Sequence, residues 1–299
     1  MNDHLIIATA ASGTVRIYTA QTTVMVETAR RLHDTWPAAT AALGRALTGT
    51  AMMRVMDGDL LRLTVQFNGN GPLGRILAVS NRRGAVKGAL DNPWVDLELN
   101  AAGKFDVAGA LGGGSLVVIK DLGLKEPYLG VVPIQSGEIA QDFAYYFTKS
   151  EQTPSAVALG VLVNPDGTVQ AAGGLIIQLM PGATEAEIDW LEAKLAGFSN
   201  ITGLLEAGMT PLQMAHEFGV PEETAGTHAK EGGVKVLETV ELAYECDCTF
   251  EHFRQAIISL GPAEIQEFFD HQNEIEVRCH FCNKLYHYRP EELKEGLKD

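Results

Sequence analysis

All four cysteines of this 299-residue chain lie between positions 246 and 282. They form two pairs, Cys246-Asp247-Cys248 and Cys279-His280-Phe281-Cys282, separated by the 30 residues 249–278. None of the first 245 positions is a cysteine. Two sulfurs with two residues between them can be presented by one tight turn, as in a zinc knuckle. Four thiolates complete a tetrahedral zinc shell, with Zn–S bonds of about 2.3 Å. Cys246-Asp247-Cys248, with one intervening residue, makes a tighter chelate than the common pair. Ile275, Val277 and Cys279 alternate with polar residues, and Leu285, Tyr286 and Tyr288 follow. That pattern predicts a short hairpin with the knuckle at its tip. The residues leave other readings open: structural disulfides of a secreted domain, or a zinc ion with a purely structural role. The spacing favours zinc over disulfides, and a catalytic ion would keep one position for water. His252, His271, His280 and His287 are close in sequence, but four thiolates need no further ligand, so these are expected to be solvated.

Residues 246–290 are too few to bury a sufficient core alone. Metal binding is therefore expected to supply much of their folding free energy, about 10–16 kcal/mol for a typical structural site at neutral pH. An oxidant that turns the thiolates into disulfides removes the ligands and, with them, that stabilisation. An all-cysteine site is for this reason a potential redox switch.

The rest of the chain narrows the class. Its 38 acidic and 23 basic residues leave a net charge of −15. Over 245–299 there are 12 acidic and 6 basic residues, a net of −6. A phosphate-binding face needs clustered Lys and Arg, so nucleic acid is not the expected partner. No apolar run approaches the roughly 18 residues of a membrane helix, and Met1-Asn2-Asp3-His4 lacks the basic start of a secretory signal. The expected location is the cytoplasm, where thiols or metal ligation are favoured over disulfides.

Three segments follow from the periodicities, in an α+β arrangement. Residues 1–181 read as a hairpin-rich mixed α/β domain. Leu5-Ile6-Ile7 and Val15-Arg16-Ile17-Tyr18 are two strands, 22–34 has helical spacing, and Pro37 opens an alanine-rich helix reaching about Met56. Leu60–Phe67 alternates and pairs with Ile76–Val79 across a glycine-rich turn. The strand Leu116–Lys120 follows, then a helix from Ser136 carrying Ile139, Phe143, Tyr146 and Phe147. Ser155–Val163 and Thr168–Leu179 form a further hairpin. The glycines of 69–74 and 112–114 are read as turns, because neither stretch is followed by Lys-Ser/Thr and a helix as a phosphate loop would be. No catalytic constellation assembles in this domain, so no enzymatic activity is expected. Residues 182–244 read as a helical linker. Thr184 and Glu187 make a capping box, Ile188, Leu191, Leu195 and Phe198 an apolar stripe, and Thr210-Pro211 a second helix start. A polar stretch, 221–233, follows. These stripes have no private core, so they are expected to dock on the N-terminal domain. Residues 245–299 are the small zinc-binding domain, in which Phe250, Phe253, Ile257 and Leu260, then Ile265, Phe268 and Phe269, are expected to pack the excursion between the cysteine pairs.

Four stretches carry a family resemblance: Phe67-x-Gly69-x-Gly71-Pro72-Leu73-Gly74, Tyr128-Leu129-Gly130-Val131-Val132-Pro133, residues 136–161 (SGEIAQDFAYYFTKSEQTPSAVALGV), and the two cysteine pairs at their separation. With these, in this order over nearly the whole chain, the sequence resembles the redox-regulated 33-kilodalton heat-shock chaperones, the bacterial 33 kDa chaperonin family. The resemblance implies one zinc ion per chain held by Cys246, Cys248, Cys279 and Cys282 in a reduced, poorly active state. It implies that peroxide with mild unfolding, or hypochlorous acid, forms the disulfides Cys246–Cys248 and Cys279–Cys282. Zinc then leaves, the C-terminal segment unfolds and the middle helices detach. The uncovered apolar surface holds unfolding client proteins without ATP, the active form tends to be a homodimer, and clients pass later to ATP-driven foldases. One departure stands out. Many members follow Cys-x-Cys with Ser and basic residues, whereas here the run is Cys248-Thr249-Phe250-Glu251-His252, with Glu245 and Asp247 adjacent. A reading of a different class also fits the zinc pattern: a constitutive zinc-ribbon adaptor or regulator that binds a protein partner and loses function with its metal.

Overall fold

The structure, a computed structural model, describes residues 2–10, 13–100, 103–196, 198, 200–219 and 233–293. Its chain divides after Tyr244 into two compact units.

In the first unit the strands β1 (His4–Ala10) and β2 (Val15–Gln21) lead into α1 (Thr23–His33) and α2 (Pro37–Met56). Next come β3 (Arg62–Gly69), β4 (Arg75–Arg82) and β5 (Ala85–Leu90), then α3 (Val107–Leu111), β6 (Gly114–Asp121) and β7 (Tyr128–Pro133). The helix α4 (Ala140–Ser150) precedes the hairpin β8 (Ser155–Val163) and β9 (Val169–Leu179). Three helices, α5 (Glu185–Ala196), α6 (Ile201–Glu206) and α7 (Pro211–His216), come before the strands β10 (Lys235–Glu241) and β11 (Ala243–Tyr244).

Two sheets result. One runs β10-β1-β2-β9-β8, the other β11-β5-β4-β3-β6-β7. All pairings are antiparallel except β11 with β5. The helix α2 packs against strands of both, including β8 and β9 of the first and β4 and β5 of the second. Only Pro37, Arg45 and Met56 of its 20 residues escape burial, the signature of a helix that is apolar on every side. Its small side chains let the neighbours approach closely: a Cβ on Gly44 would stand 2.6 Å from Val26 and 2.8 Å from Val161.

The inner strands β1, β2 and β9 of the five-stranded sheet are buried on both faces. Leu5, Tyr18, Ala20 and Ile176 face the main core around α2. Ile6, Ala8, Ile17, Leu175 and Ile177 face a second core, closed by Leu191, Phe198, Ile201, Ala215 and Phe218 of the middle helices. Runs such as Leu5-Ile6-Ile7 and Leu175-Ile176-Ile177 are continuous rather than alternating for this reason. Polar contacts fix the docking: Thr19 donates to the Pro211 carbonyl at 2.7 Å, and Gln170 donates to Glu206 at 2.8 Å. The capping box forms, with Thr184 N–H donating to Glu187 Oε2 at 2.7 Å and Glu187 N–H to Thr184 Oγ1 at 3.3 Å. In the stripe Ile188 is only half-buried, and Trp190 packs on the second core together with Leu195.

Three expectations need correction. First, residues 182–244 are not helical throughout: β10 and β11 add an edge to each sheet. In β10 only Val240 is buried, so main-chain bonding to β1, not a patterned apolar face, makes it a strand. The polar stretch expected at 221–233 lies outside the described residues apart from Gly233. Second, the helix expected from Ser136 starts at Ala140. The preceding loop wraps the fully buried Asp142 carboxylate, which accepts the N–H groups of Gln135 (2.7 Å), Ser136 (2.9 Å) and Ile139 (3.0 Å). Third, β5, β7, α3 and α6 add to the expected elements. The two glycine-rich stretches serve each other: Asn70, Gly71 and Leu73 N–H groups donate to Gly113, Leu111 and Ala110 carbonyls, each at 2.9 Å, and a Cβ on Gly71 would lie 2.5 Å from the Ala110 oxygen. Close backbone approach, not phosphate binding, explains them.

The second unit contains α8 (Phe250–Ile258), α9 (Pro262–His271) and the hairpin β12 (Ile275–Arg278) with β13 (Leu285–Tyr288). Its core is small: Ile257, Ile265, Ile275, Tyr286, Tyr288 and Leu293 are buried, with Phe253 and Phe269 partly so. Phe250, Leu260 and Phe268, expected to pack there, are exposed at 37%, 51% and 44%. Phe250 still lies against Tyr288, with ring centroids 4.4 Å apart.

Candidate metal centre

The hairpin β12–β13 carries Cys279 and Cys282 at its tip, in register Arg278 opposite Leu285. The turn is tied by Cys279 N–H to the Lys284 carbonyl (3.0 Å) and by Asn283 N–H to the Cys279 carbonyl (2.9 Å). Asn283 adopts φ +57°, a left-handed position that asparagine tolerates better than most residues. Cys246 and Cys248 come from the segment just before α8, whose N-cap Thr249 accepts the His252 N–H at 3.1 Å. The aromatic pairs Phe253–Tyr286 and Phe250–Tyr288 tie that helix to the hairpin.

These elements gather the four sulfurs within 4.8 Å of one another. Cys246 Sγ is 3.6 Å from Cys279 Sγ, and Cys248 Sγ is 3.4 Å from Cys282 Sγ. Both separations far exceed the ~2.05 Å of a disulfide. They approach the ~3.8 Å between vertices of a tetrahedron with ~2.3 Å arms. Cys279 is 2% exposed, whereas the other three cysteines are partly open. None of His252, His271, His280 and His287 joins the cluster among the described residues. His287 instead lies 3.1 Å from Glu274.

Electrostatics agrees with a cation site. Burial pushes the Cys246 thiol well above its ordinary value and the Cys282 thiol up to about 11. Burial also opposes ionisation of Cys248, but hydrogen bonds from Tyr286 and the other sulfurs outweigh it and hold this thiol below its ordinary value. Four thiolates can coexist in so small a volume only around a cation, which deprotonates coordinating thiols outright. Four soft thiolates in tetrahedral reach match zinc.

Sequence reasoning finds all four sulfurs but not Asn283 or Tyr286. Asn283 has a visible signal, an asparagine directly after the second cysteine. Tyr286 reads in the sequence only as a hairpin apolar position. In the structure its hydroxyl lies 3.2 Å from Cys248 Sγ and 3.1 Å from the Cys248 carbonyl.

A two-sheet body and a second unit that gathers four thiols define the class of protein. The chain belongs to the Hsp33 protein family, whose model matches residues 3–289. It is 48% identical over 296 residues to a 33 kDa chaperonin of Geobacillus sp. (strain WCH70), covering 99% of this chain and 97% of the relative. It is 46% identical over 301 residues to the 33 kDa chaperonin of Enterococcus faecalis (strain ATCC 700802 / V583), covering 100% and 97%. The crystal structure of the 33 kDa chaperonin of Thermotoga maritima superposes with a TM-score of 0.88 at 38% identity, covering 99% of this chain and 98% of the other. These relatives are named as chaperones, and that broad function holds for this chain. No helix among the described residues is long and apolar enough to cross a membrane.

Proposed function

We propose that this chain is an ATP-independent holdase whose activity is set by the oxidation state of Cys246, Cys248, Cys279 and Cys282. The observation that carries the reading is the gathering of these four sulfurs within 4.8 Å in a unit whose own core is too small to fold it. In the reduced state the four thiolates hold one zinc ion, and the stabilisation that metal binding supplies is that of the fold itself. Oxidation joins Cys246 to Cys248 and Cys279 to Cys282. Each bond takes two electrons from two thiolates, and one hypochlorous acid accepts them, leaving chloride and hydroxide. Sulfurs spent in disulfides are lost as ligands, the second unit unfolds, and α5–α7 leave the outer face of the five-stranded sheet. The apolar side chains of that face and of the helices then bind unfolding clients. The active form is a homodimer, and clients pass to ATP-driven foldases after reduction. A one-residue disulfide must bend to close, which makes Cys246–Cys248 easy to reduce and the switch reversible. The setting is the cytoplasm, whose reducing poise keeps the resting state.

The test is light scattering of a thermally unfolding client. Reduced, zinc-loaded protein should leave aggregation unchanged. Protein treated with hypochlorous acid should suppress it and release one zinc per chain, and peptide mapping should find the two near-neighbour disulfides. Suppression in neither state would sink the chaperone switch. Function that disappears with the metal would favour a constitutive adaptor.

The acidic flank modulates the rate. Glu245, Asp247 and Glu251 flank the Cys246–Cys248 pair in sequence and add negative charge near thiolates that meet anionic oxidants, with that of Glu251 partly offset by Arg254 at 2.9 Å. Replacing all three by Gln or Asn should speed hypochlorite-driven zinc release by a factor of about two to five at low salt, with the gain shrinking as salt screens the charges. Stopped-flow release at two ionic strengths checks this, and equal rates in both proteins would overturn it.

A further inference from the structure

The Tyr286 hydroxyl approaches Cys248 at two acceptors, the sulfur at 3.2 Å and the residue's own carbonyl oxygen at 3.1 Å. The residue is 6% exposed, and its ring is held from several sides. Phe253 lies 5.2 Å away between centroids, Lys284 Nζ stands 5.0 Å from the ring centroid, and the hairpin register sets Tyr286 opposite Val277. The hydroxyl therefore cannot swing away without disturbing the unit's small core.

Donors differ among the sulfurs. Cys246 and Cys282 receive main-chain N–H groups, from Cys248 and Lys284. Cys248 has a side-chain hydroxyl in that role. A hydroxyl has one proton and must divide it between two acceptors. A thiolate is charged and the carbonyl is not, and hydrogen bonds to ionised acceptors are roughly twice as strong as neutral ones. A Cys248 thiolate therefore draws the Tyr286 proton. A neutral or disulfide-bonded sulfur leaves it to the carbonyl.

We infer that Tyr286 is a positioning residue of the four-sulfur centre: its hydroxyl donates to the Cys248 thiolate, aims it at the other three sulfurs and blunts its nucleophilicity, and so sets how fast the centre is oxidised. The inference rests on the proposal that the four thiolates hold zinc and are oxidised. Outer-shell donors to metal ligands typically change metal affinity 10–100-fold, and withdrawing electron density from a thiolate slows its attack on an oxidant. Among the three partly open cysteines, Cys248 is then restrained by a bond that one oxygen atom supplies.

The experiment uses full-length, reduced, zinc-loaded protein in three forms: unaltered, Tyr286→Phe and Tyr288→Phe. Tyr288 is the control, since its hydroxyl donates to the Phe250 carbonyl at 2.8 Å. Zinc release under a fixed dose of hypochlorous acid is followed with a chromogenic chelator. Early alkylation by N-ethylmaleimide is assigned cysteine by cysteine through peptide mass spectrometry. Tyr286→Phe should bind zinc about tenfold more weakly, release it about three- to tenfold faster and make Cys248 the first cysteine labelled. Tyr288→Phe should change neither the rate nor the order. A merely structural role for Tyr286 would lower affinity but leave the labelling order as it is in the unaltered protein, and that result overturns the inference. Site-specific 3-fluorotyrosine at position 286 keeps the ring and strengthens the donor, so release should slow. Release that is equal or faster also overturns it, even if the Phe variant fails to fold. Unaltered protein that binds no zinc, or releases it without regard to oxidant, overturns both this inference and the function it rests on.

Discussion

A Cys279→Ser chain should lose its metal and its C-terminal fold together, while the two-sheet body keeps its own melting transition. Cys279 is the most enclosed of the four sulfurs, at 2% exposure. Its main-chain bonds to Lys284 and Asn283 do not depend on its side chain, so under the proposed function the substitution removes a zinc ligand rather than the turn. Six buried side chains form the local core. So small a core leaves the unit's fold to depend, under the proposed function, on metal binding, whose free energy is then folding free energy. Zinc affinity should fall by more than the 10–100-fold typical of an outer-shell change. The helical signal of α8 and α9 should disappear from circular dichroism. Under the proposed function, the variant should also suppress client aggregation with no oxidant present. A variant that keeps one tightly bound zinc and full helical content would contradict the account.

Phe218→Asp should release the middle helices while all four cysteines stay reduced. Phe218 is fully buried, its ring centroid is 4.6 Å from that of Phe198, and it belongs to the second core with Ile6, Ile17 and Ile177. Truncating a buried Phe costs about 3–5 kcal/mol, and an unpaired buried carboxylate adds several more. The second core is separate from the one around α2, so the body should survive. The expected outcome is binding of a hydrophobic dye, faster hydrogen exchange in α5–α7, and suppression of aggregation by a protein that still holds its zinc. Leu212→Asp, at a position 40% exposed on α7, should show none of these. A Phe218→Asp protein with open helices and no effect on aggregation would separate helix release from client binding and defeat that part of the proposal.

Much of the architecture is legible before any coordinates. Pro37 and the alanine-rich run to Met56 mark α2, and the alternation of Leu63, Val65 and Phe67 marks β3, although Leu61, expected on the same face, precedes the strand and is exposed. The Thr184/Glu187 capping box forms as the spacing predicts. These features follow from local chemistry, so neighbours in sequence are enough to read them. The strand β10 is not legible in this way, because its identity comes from β1, more than 220 residues earlier. The loop at 135–139 likewise reads as a helix start until the buried Asp142 is seen collecting three N–H groups there.

The site divides along the same line. Cysteine spacing alone selects Cys246, Cys248, Cys279 and Cys282, because ligand type and chelate size are properties of short segments. The shortness of the 246–290 segment is likewise visible in the sequence, and it is why the proposed function makes the second unit depend on those sulfurs. Which other atoms bear on each sulfur is a different matter. Tyr286 reaches Cys248 across 38 positions of chain, and nothing in its own neighbourhood distinguishes it from a core tyrosine. The covering of the five-stranded sheet by α5–α7 is also a tertiary outcome. An amphipathic stripe states that a partner surface exists, but only packing shows that Phe198 and Phe218 close on Ile6 and Ile17. Apolar burial is non-directional, and it takes a partner's shape, not a pattern along the chain, to choose among the surfaces available.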